Sequence, residues 1–209
     1  MNTNWSEIVA HYEKCLEKHG DNHLGVDWPN VEDATKRYQI MFELINGGFG
    51  TNSLLDYGCG AGHFIEGVVM RGFREPNSEV IKRTYFGYDK SDKMIALCKS
   101  KHPNYQFSST EYPVSDYVIM NGVFTEKRSI TFGQMWTMVQ AELLEVWAKT
   151  RKGLAFNVMS PNVDYEKDFL FHLPMDLMAN FVVKNLSRKF QIRHDYLPYE
   201  YTVYVYRAD

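Results

Sequence analysis

Three glycines stand at alternating positions directly after a short apolar run, in the segment LLDYGCGAG at residues 54–62. An acid, Asp56, lies two residues before the first of them, and the glycines are Gly58, Gly60 and Gly62. Glycine weakens a regular element, but it allows a positive φ and lets another group approach the backbone closely. In an open α/β sheet, ligands bind outside the carboxyl ends of the strands, where a glycine-rich turn exposes backbone N–H groups at the start of a helix. The segment therefore predicts a ligand-binding turn between a strand and a helix.

The spacing of these glycines differs from the dinucleotide-binding pattern G-x-G-x-x-G. After Gly58 and Gly60, that pattern requires a third glycine at position 63, which is His63 in this chain. The segment reads D-x-G-x-G-x-G instead. The sequence thus disfavours a nicotinamide-dependent dehydrogenase, although that class has the same architecture, and an ordinary tight turn without a ligand is a further alternative.

A second acid, Asp89, directly follows the segment YFGY at residues 85–88. A carboxylate at the end of a second strand can accept hydrogen bonds from both neighbouring hydroxyls of a ribose. Asp89 lies further from the glycines than the ~20 residues usual for such an acid. We attribute the excess to the loop GFREPNSEVIKR at residues 72–83. A helix cap is the alternative role for Asp89, although Ser91 is better placed for it.

These residues need a fold that brings strand ends together, and the sequence alternates strand and helix patterns. Two amphipathic helices come first, the second of them preceded by the capping residue Asn30. Apolar strand segments then alternate with helical periodicity, which is typical of a parallel sheet with helices on its faces. The segments at residues 190–196 and 201–207 predict a closing β-hairpin. We predict an N-terminal helix and lid-like loop at residues 1–30 that belong to the same domain as residues 31–209.

The motif and the order of elements resemble the class I S-adenosylmethionine-dependent methyltransferases. That family has an α/β fold with a Rossmann-like, mostly parallel seven-stranded sheet, helices on both faces, and its last strand antiparallel in a C-terminal hairpin. The resemblance extends from about Val31 to Arg207. Four further segments resemble a subgroup of small, uncharacterised bacterial and phage methyltransferases: HGDNHLGVDW, DYVIMNGVF, RKGLAFNVMS and HDYLPYEYTVYV. The resemblance implies S-adenosylmethionine as the cofactor and no metal, and it makes residues 31–209 the methyltransferase domain.

The resemblance also implies roles for individual residues. Asp56 would orient the turn and the methionine end of the cofactor, the three glycines would pack against it, and Asp89 would bind its ribose. Further cofactor contacts implied are Lys90 and Met94 beside the adenine, and Asn121 and Gly122 beside the reacting methyl group, with a strand-end turn as the alternative role of the last two. We also expect His63 to pack on the cofactor or on the helix end. The contact to the adenine amine stays open, because the third strand is followed by Ser108, Ser109, Thr110 and only then Glu111.

Methyl transfer from a sulfonium is an in-line displacement that depends mainly on positioning. A hydroxyl or a protonated amine would also need a base, and histidine is suited to that task near neutral pH. We name His194 and its neighbour Tyr196, near the end of the sixth strand, as candidate catalytic residues, with pinning of the hairpin as the alternative role. Asp27, Trp28 and Arg37 are candidates for a lid, in which Arg37 would bind the cofactor carboxylate. Packing for Trp28 and a solvated helix face for Arg37 are the alternatives.

Charge, motifs and hydrophobic patterning limit the class of methyl acceptor and the cellular location that we expect. A net charge of -3 over 209 residues gives no strong reason to expect a nucleic-acid partner, and NGVF lacks the prolines and tyrosine of the N-P-P-Y motif of adenine methyltransferases. The N-terminal segment is too polar for a signal peptide, and no run of about 18 apolar residues occurs, so we predict a cytoplasmic protein without a membrane partner. Three scattered cysteines favour reduced thiols over a structural zinc site. We therefore predict methyl transfer to a small-molecule or saccharide acceptor, with a non-catalytic cofactor-binding sensor or subunit as the alternative and the oligomeric state open.

Overall fold

The computed structural model describes residues 5–45, 51–70 and 83–208. The strands within these ranges are β1 (Leu54–Tyr57), β2 (Tyr85–Tyr88), β3 (Gln106–Ser108), β4 (Ser115–Phe124), β5 (Thr150–Met159), β6 (Phe190–Arg193) and β7 (Glu200–Tyr206). The helices are α1 (Ser6–His19), α2 (Val31–Phe42), α3 (His63–Met70), α4 (Asp92–Lys101), α5 (Phe132–Ala148) and α6 (Met175–Asn185), with a short 3-10 helix at His23–Val26. Apart from Arg83, the loop to which we attribute the long spacing of Asp89 lies outside the described residues.

The strands form one seven-stranded sheet in the order β3-β2-β1-β4-β5-β7-β6. β1 pairs in parallel with both β2 and β4, while β7 runs antiparallel to β5 and β6. The predicted α/β fold, with a mostly parallel sheet and an antiparallel last strand in a hairpin, is confirmed. From β1 the sheet is extended on one side by β2 and β3 and on the other side by β4 and β5, so the strand order reverses between β1 and β4. Ligands of such sheets bind in the crevice at the carboxyl ends of the two strands where the order reverses.

Apolar residues on both faces of the sheet hold the helices. Along β4 the side chains alternate between faces: Val118 and Met120 belong to the core cluster that includes residues of α1, α5 and α6, whereas Ile119 belongs to the cluster with residues of α2, α3 and α4. All three side chains are fully buried. Ile8 places α1 in the first cluster, so the N-terminal helix packs on the same sheet as the rest of the chain.

Side-chain caps begin three of the helices, as local sequence chemistry dictates. The Asn30 side chain accepts hydrogen bonds from the first turn of α2, the Ser91 hydroxyl accepts one from the Met94 N–H at the start of α4, and Thr131 forms a capping box with Gln134 on α5. Among the described helices, none is long and apolar enough to cross a membrane.

Candidate functional site

The glycine turn is bonded directly to the end of β2. The Tyr88 carbonyl oxygen accepts hydrogen bonds from the N–H groups of Gly58 (2.7 Å) and Cys59 (2.9 Å), and the Gly60 N–H donates to Asp89 Oδ2 (2.9 Å). These N–H groups hold the turn against the sheet instead of pointing toward a ligand, contrary to the expectation that the turn would expose them. Gly58 has a φ of 79°, and a Cβ there would lie 2.5 Å from Val123 Cγ2. Glycine is therefore required at this position by both conformation and space.

Asp89 joins the turn to α4 through both of its carboxylate oxygens. Oδ2 accepts from the Gly60 N–H and Oδ1 from the Ser91 N–H, at 2.8 Å for the latter. Burial raises the pKa of Asp89, against the opposite effect of these two hydrogen bonds. Because a carboxylate oxygen can accept two hydrogen bonds, each oxygen keeps a free lone pair. Asp89 thus holds the cap residue Ser91 without capping α4 itself, and it keeps the capacity to bind two hydroxyls.

Asp56 lies at the end of β1 and is 1% exposed. Its Oδ2 accepts a hydrogen bond from the Tyr85 hydroxyl on β2, at 2.8 Å. Burial raises the pKa of Asp56 to about 7, the Tyr85 hydrogen bond opposes this rise, and the charge of Asp89 adds to it. A carboxyl group with a pKa of about 7 is partly protonated near neutral pH, and a cation that binds beside it favours loss of that proton.

A pocket of about 930 Å³, including its opening to solvent, lies between the strand ends and the N-terminal segment. The sheet side of the pocket contains most of the predicted contact residues: Asp56, Gly58, Gly60, His63, Asp89, Lys90, Met94, Asn121 and Gly122. The predicted contact residues from the ends of β1, β2 and β4 therefore face one pocket.

The N-terminal segment covers the other side of this pocket. Its side chains that line the pocket are Trp5, which directly precedes α1, Ile8, Val9 and Tyr12 from α1, and Val26 and Trp28 from the connector between α1 and α2 (residues 20–30). A Cβ on Gly122, whose φ is 76°, would lie 2.7 Å from Trp28 Cζ2, so the glycine leaves room for the indole. Sequence periodicity indicated the apolar face of α1 but not what that face contacts.

The known proteins that are similar in sequence or fold include methyltransferases. A scan for known protein families finds no match to the chain. The "Putative methyltransferase Rv1506c" of Mycobacterium tuberculosis is 26% identical over 163 residues, which cover 75% of this chain and 93% of that protein. Magnesium protoporphyrin IX methyltransferase from Synechocystis PCC 6803, crystallised with bound S-adenosylmethionine, matches with a TM-score of 0.59 and 12% identity, covering 97% of this chain and 92% of that one. The N-methyltransferase NodS from Bradyrhizobium japonicum matches with a TM-score of 0.57 and 9% identity, covering 86% of this chain and 99% of that one.

This chain has the class I methyltransferase fold. The resemblance that the glycine motif and the order of elements indicated is thereby confirmed. In this methyltransferase fold, the pocket is formed by the ends of β1, β2 and β4 beneath the N-terminal helix.

Lys90 lies between the pocket and a buried acid of the methyltransferase core. Its Nζ is 2.8 Å from Glu142 Oε1 on α5 and 3.2 Å from the Tyr57 hydroxyl, which also donates to Glu142. Burial lowers the pKa of Lys90. Burial, with a further contribution from the charge of Glu145, raises the pKa of Glu142 to about 7. The sequence placed Lys90 at the pocket but gave no signal for its partner, which is 52 positions away.

The end of β4 offers a polar atom without a partner. Among the described residues, no hydrogen-bond donor reaches Asn121 Oδ1, although this atom is buried. Its neighbour Gly122 is fully engaged: the N–H donates to Asn157 Oδ1 at 2.7 Å, and the carbonyl oxygen accepts from Thr125 Oγ1 at 3.0 Å. Buried polar groups are nearly always hydrogen-bonded. Asn121 is therefore placed to accept a hydrogen bond from a bound molecule.

Arg37 and Gly62 lie outside the lining of the pocket. The Arg37 Nε donates to both carboxylate oxygens of Glu200, at 2.8 and 2.7 Å, and its guanidinium lies over the Trp28 ring, 4.2 Å from the centroid. Glu200 is 1% exposed and needs this cation, which explains why Arg37 is not directed at the pocket. Gly62 packs against α4 instead, since a Cβ there would lie 3.2 Å from Cys98 Sγ.

His194 and Tyr196, the candidate catalytic residues, are likewise not part of the pocket lining that the structure describes. The His194 Nε2 lies 3.1 Å from the Pro198 carbonyl oxygen, and the Tyr196 hydroxyl lies 2.8 Å from Thr202 Oγ1. Both contacts are made within the β6–β7 hairpin, in agreement with the alternative role of pinning it. The third lid candidate, Asp27, accepts a hydrogen bond from His11 on α1.

Proposed function

We propose that this protein is an S-adenosylmethionine-dependent methyltransferase that acts on a small-molecule or saccharide acceptor by in-line displacement. The observation that carries the proposal is the unit of glycine turn and Asp89, hydrogen-bonded together at the ends of β1 and β2 and facing a pocket of the methyltransferase fold. The name of the Mycobacterium tuberculosis relative and the bound cofactor of the Synechocystis enzyme support it.

The residues of the pocket suit this cofactor. The free lone pairs on Asp89 are suited to the two hydroxyls of the ribose, and the orphan Asn121 Oδ1 to an N–H donor. The Asp56 carboxyl lies where a positively charged ligand would favour its ionised form. When bound, S-adenosylmethionine supplies a methyl group on a positively charged sulfur that leaves as a neutral thioether.

The aromatic side chains of the N-terminal segment that lie over the pocket favour a small acceptor. Trp5, Tyr12 and Trp28 face the strand ends, so the acceptor has to fit between aromatic side chains and the sheet. Such walls suit a ring or a sugar. Burial raises the pKa of Tyr12, so its hydroxyl stays protonated, and it lies 3.5 Å from the Gly122 carbonyl oxygen at the end of β4. Alignment of the acceptor by these side chains supplies much of the rate.

Thermal unfolding with S-adenosylmethionine, S-adenosylhomocysteine and NAD tests the proposal. A ligand at about 100 times its dissociation constant adds roughly 2.7 kcal/mol, which corresponds to about 5–10 °C for a domain of this size. We expect both adenosyl compounds to raise the midpoint, NAD to leave it unchanged, and S-adenosylhomocysteine to be released with an acceptor from a panel of sugars and aromatic compounds. Stabilisation by NAD alone would contradict the cofactor, and binding without release across the panel would favour a sensor.

The pH dependence of cofactor binding provides a separate prediction from Asp56. Its pKa is raised to about 7, so it is largely protonated in the free protein below that pH and ionised above it. A cationic ligand favours the ionised form, and we therefore expect affinity for S-adenosylmethionine to fall as pH decreases from 7 to 5.5, by up to about tenfold per unit. Titration calorimetry on the wild type and on Asp56→Asn checks this. The asparagine can still accept from Tyr85 but has no charge to lose, so an equally steep pH dependence in the variant would refute the assignment.

A further inference from the structure

Three side chains that are potential metal ligands converge outside the pocket, where α1 meets the connector. His11 and Cys15 are four positions apart on α1 and therefore lie on the same face of the helix. Asp27 directly follows the 3-10 helix and reaches the same point from the connector. The His11 Nε2 lies 2.7 Å from Asp27 Oδ2 and 3.7 Å from Cys15 Sγ, and the ligand atoms of all three residues lie within 4.8 Å of one another.

These separations can be compared with those of a tetrahedral zinc site. With Zn–N and Zn–O distances near 2.0–2.2 Å and Zn–S near 2.3 Å, tetrahedral ligand atoms lie roughly 3.3–3.6 Å apart. The nitrogen–sulfur separation of 3.7 Å is about 0.1 Å longer than this range, and the nitrogen–oxygen separation of 2.7 Å would have to lengthen by about 0.6 Å. The oxygen–sulfur separation is within 4.8 Å, so Asp27 would have to move to bind an ion together with both α1 side chains. Asp27 is on the exposed side of the cluster, which gives it room to move and leaves the fourth position open to water.

The charges around the cluster also favour a cation. A carboxylate and a thiolate would together balance the charge of Zn²⁺, with neutral His11 as the third ligand. Glu126, 5% exposed, adds a further acidic group that interacts electrostatically with His11 and Asp27. Two cations lie near these acidic groups: Arg128, whose Nη1 is 3.1 Å from Glu126 Oε2, and Lys18, which interacts electrostatically with Cys15.

We propose that His11, Cys15 and Asp27 bind a divalent transition metal ion, with zinc as the favoured ion, and thereby attach α1 to the connector. The ion has a structural role: Tyr12 and Trp28, each adjacent in sequence to a ligand, line the pocket, and the ion holds both of them over it. The cysteine spacing gave no indication of this site because its ligands are of three residue types from two elements. A plain hydrogen-bonded pair of His11 and Asp27 is the arrangement that the experiment has to exclude.

Titration of the chelator-treated 209-residue protein with Zn²⁺ and Co²⁺ tests the proposal. We expect one ion per chain and, with Co²⁺, the near-ultraviolet thiolate-to-metal band and the visible bands of tetrahedral coordination. Zn²⁺ should also raise the thermal midpoint by several degrees. Cys15→Ser should abolish the thiolate band, and both Cys15→Ser and His11→Gln should weaken Zn²⁺ binding by at least about tenfold.

His19→Gln is the matched control, because this imidazole is on the same helix but outside the cluster; it should bind Zn²⁺ as the wild type does. Circular dichroism shows whether Cys15→Ser and His11→Gln retain the fold. The absence of stoichiometric binding, or a thiolate band that persists in Cys15→Ser and so arises from Cys59 or Cys98, would overturn the proposal. Cofactor binding is measured separately, so a negative result here leaves the proposed methyl transfer unaffected.

Discussion

Asp89→Asn is expected to weaken binding of S-adenosylmethionine and S-adenosylhomocysteine by roughly a hundredfold. The charged carboxylate is proposed to accept hydrogen bonds from both ribose hydroxyls, and hydrogen bonds to a charged group each contribute about 1.5–3 kcal/mol. The amide keeps one accepting oxygen, but its NH2 group would face either the Gly60 or the Ser91 N–H, which are both donors. The variant therefore loses the charge and one of the contacts that hold the turn.

Calorimetric titration of both adenosyl compounds measures this effect, and unfolding without ligand separates binding from loosening of the turn. Asp92→Asn is the matched control: Asp92 lies three positions further on, at the start of α4, and accepts from the Ser109 hydroxyl outside the described pocket lining. Its affinity should equal that of the wild type. Unchanged affinity in Asp89→Asn would contradict the ribose assignment.

Glu200→Gln is expected to lower the free energy of unfolding by about 3–5 kcal/mol, because it leaves a buried charge without its partner. The side chains of Arg37 and Glu200 are 13% and 1% exposed. In the described structure the buried Arg37 Nη1 already lacks a hydrogen-bond partner, so the guanidinium depends on this carboxylate. The pair connects α2 to the start of β7, and its loss affects the attachment of the N-terminal half to the closing hairpin.

Urea unfolding of Glu200→Gln, Arg37→Met and the double variant measures the coupling between the two residues. We expect each single variant to be strongly destabilised and the double variant to be more stable than the sum of the two losses predicts. Asp195→Asn is the control, since this exposed partner of Arg193 should leave stability nearly unchanged. The folded Arg37→Met protein also tests the sequence-based lid hypothesis. Affinity for S-adenosylmethionine should be retained if Arg37 serves Glu200, and a tenfold loss would show that it also reaches the cofactor.

The sequence by itself determined the features that depend on local backbone chemistry. Alternating glycines after an apolar run define a turn with positive φ, whatever packs around it, and Gly58 has that conformation. An acid directly after a strand has to lie at the carboxyl edge of the sheet, which located Asp89 beside the turn. Turn residues between two strand patterns likewise determined the closing hairpin.

Only the tertiary structure decided which side chains meet across long stretches of chain. Arg37 was a lid candidate on α2, yet its partner is Glu200, 163 positions away, because a buried carboxylate requires a cation. His194 is suited by type to act as a base, but the hairpin directs it to the Pro198 carbonyl oxygen. His11 and Asp27 carry no motif between them and meet because α1 packs on the connector. Spacing predicts the geometry within one element, whereas contacts between elements depend on how the whole core packs.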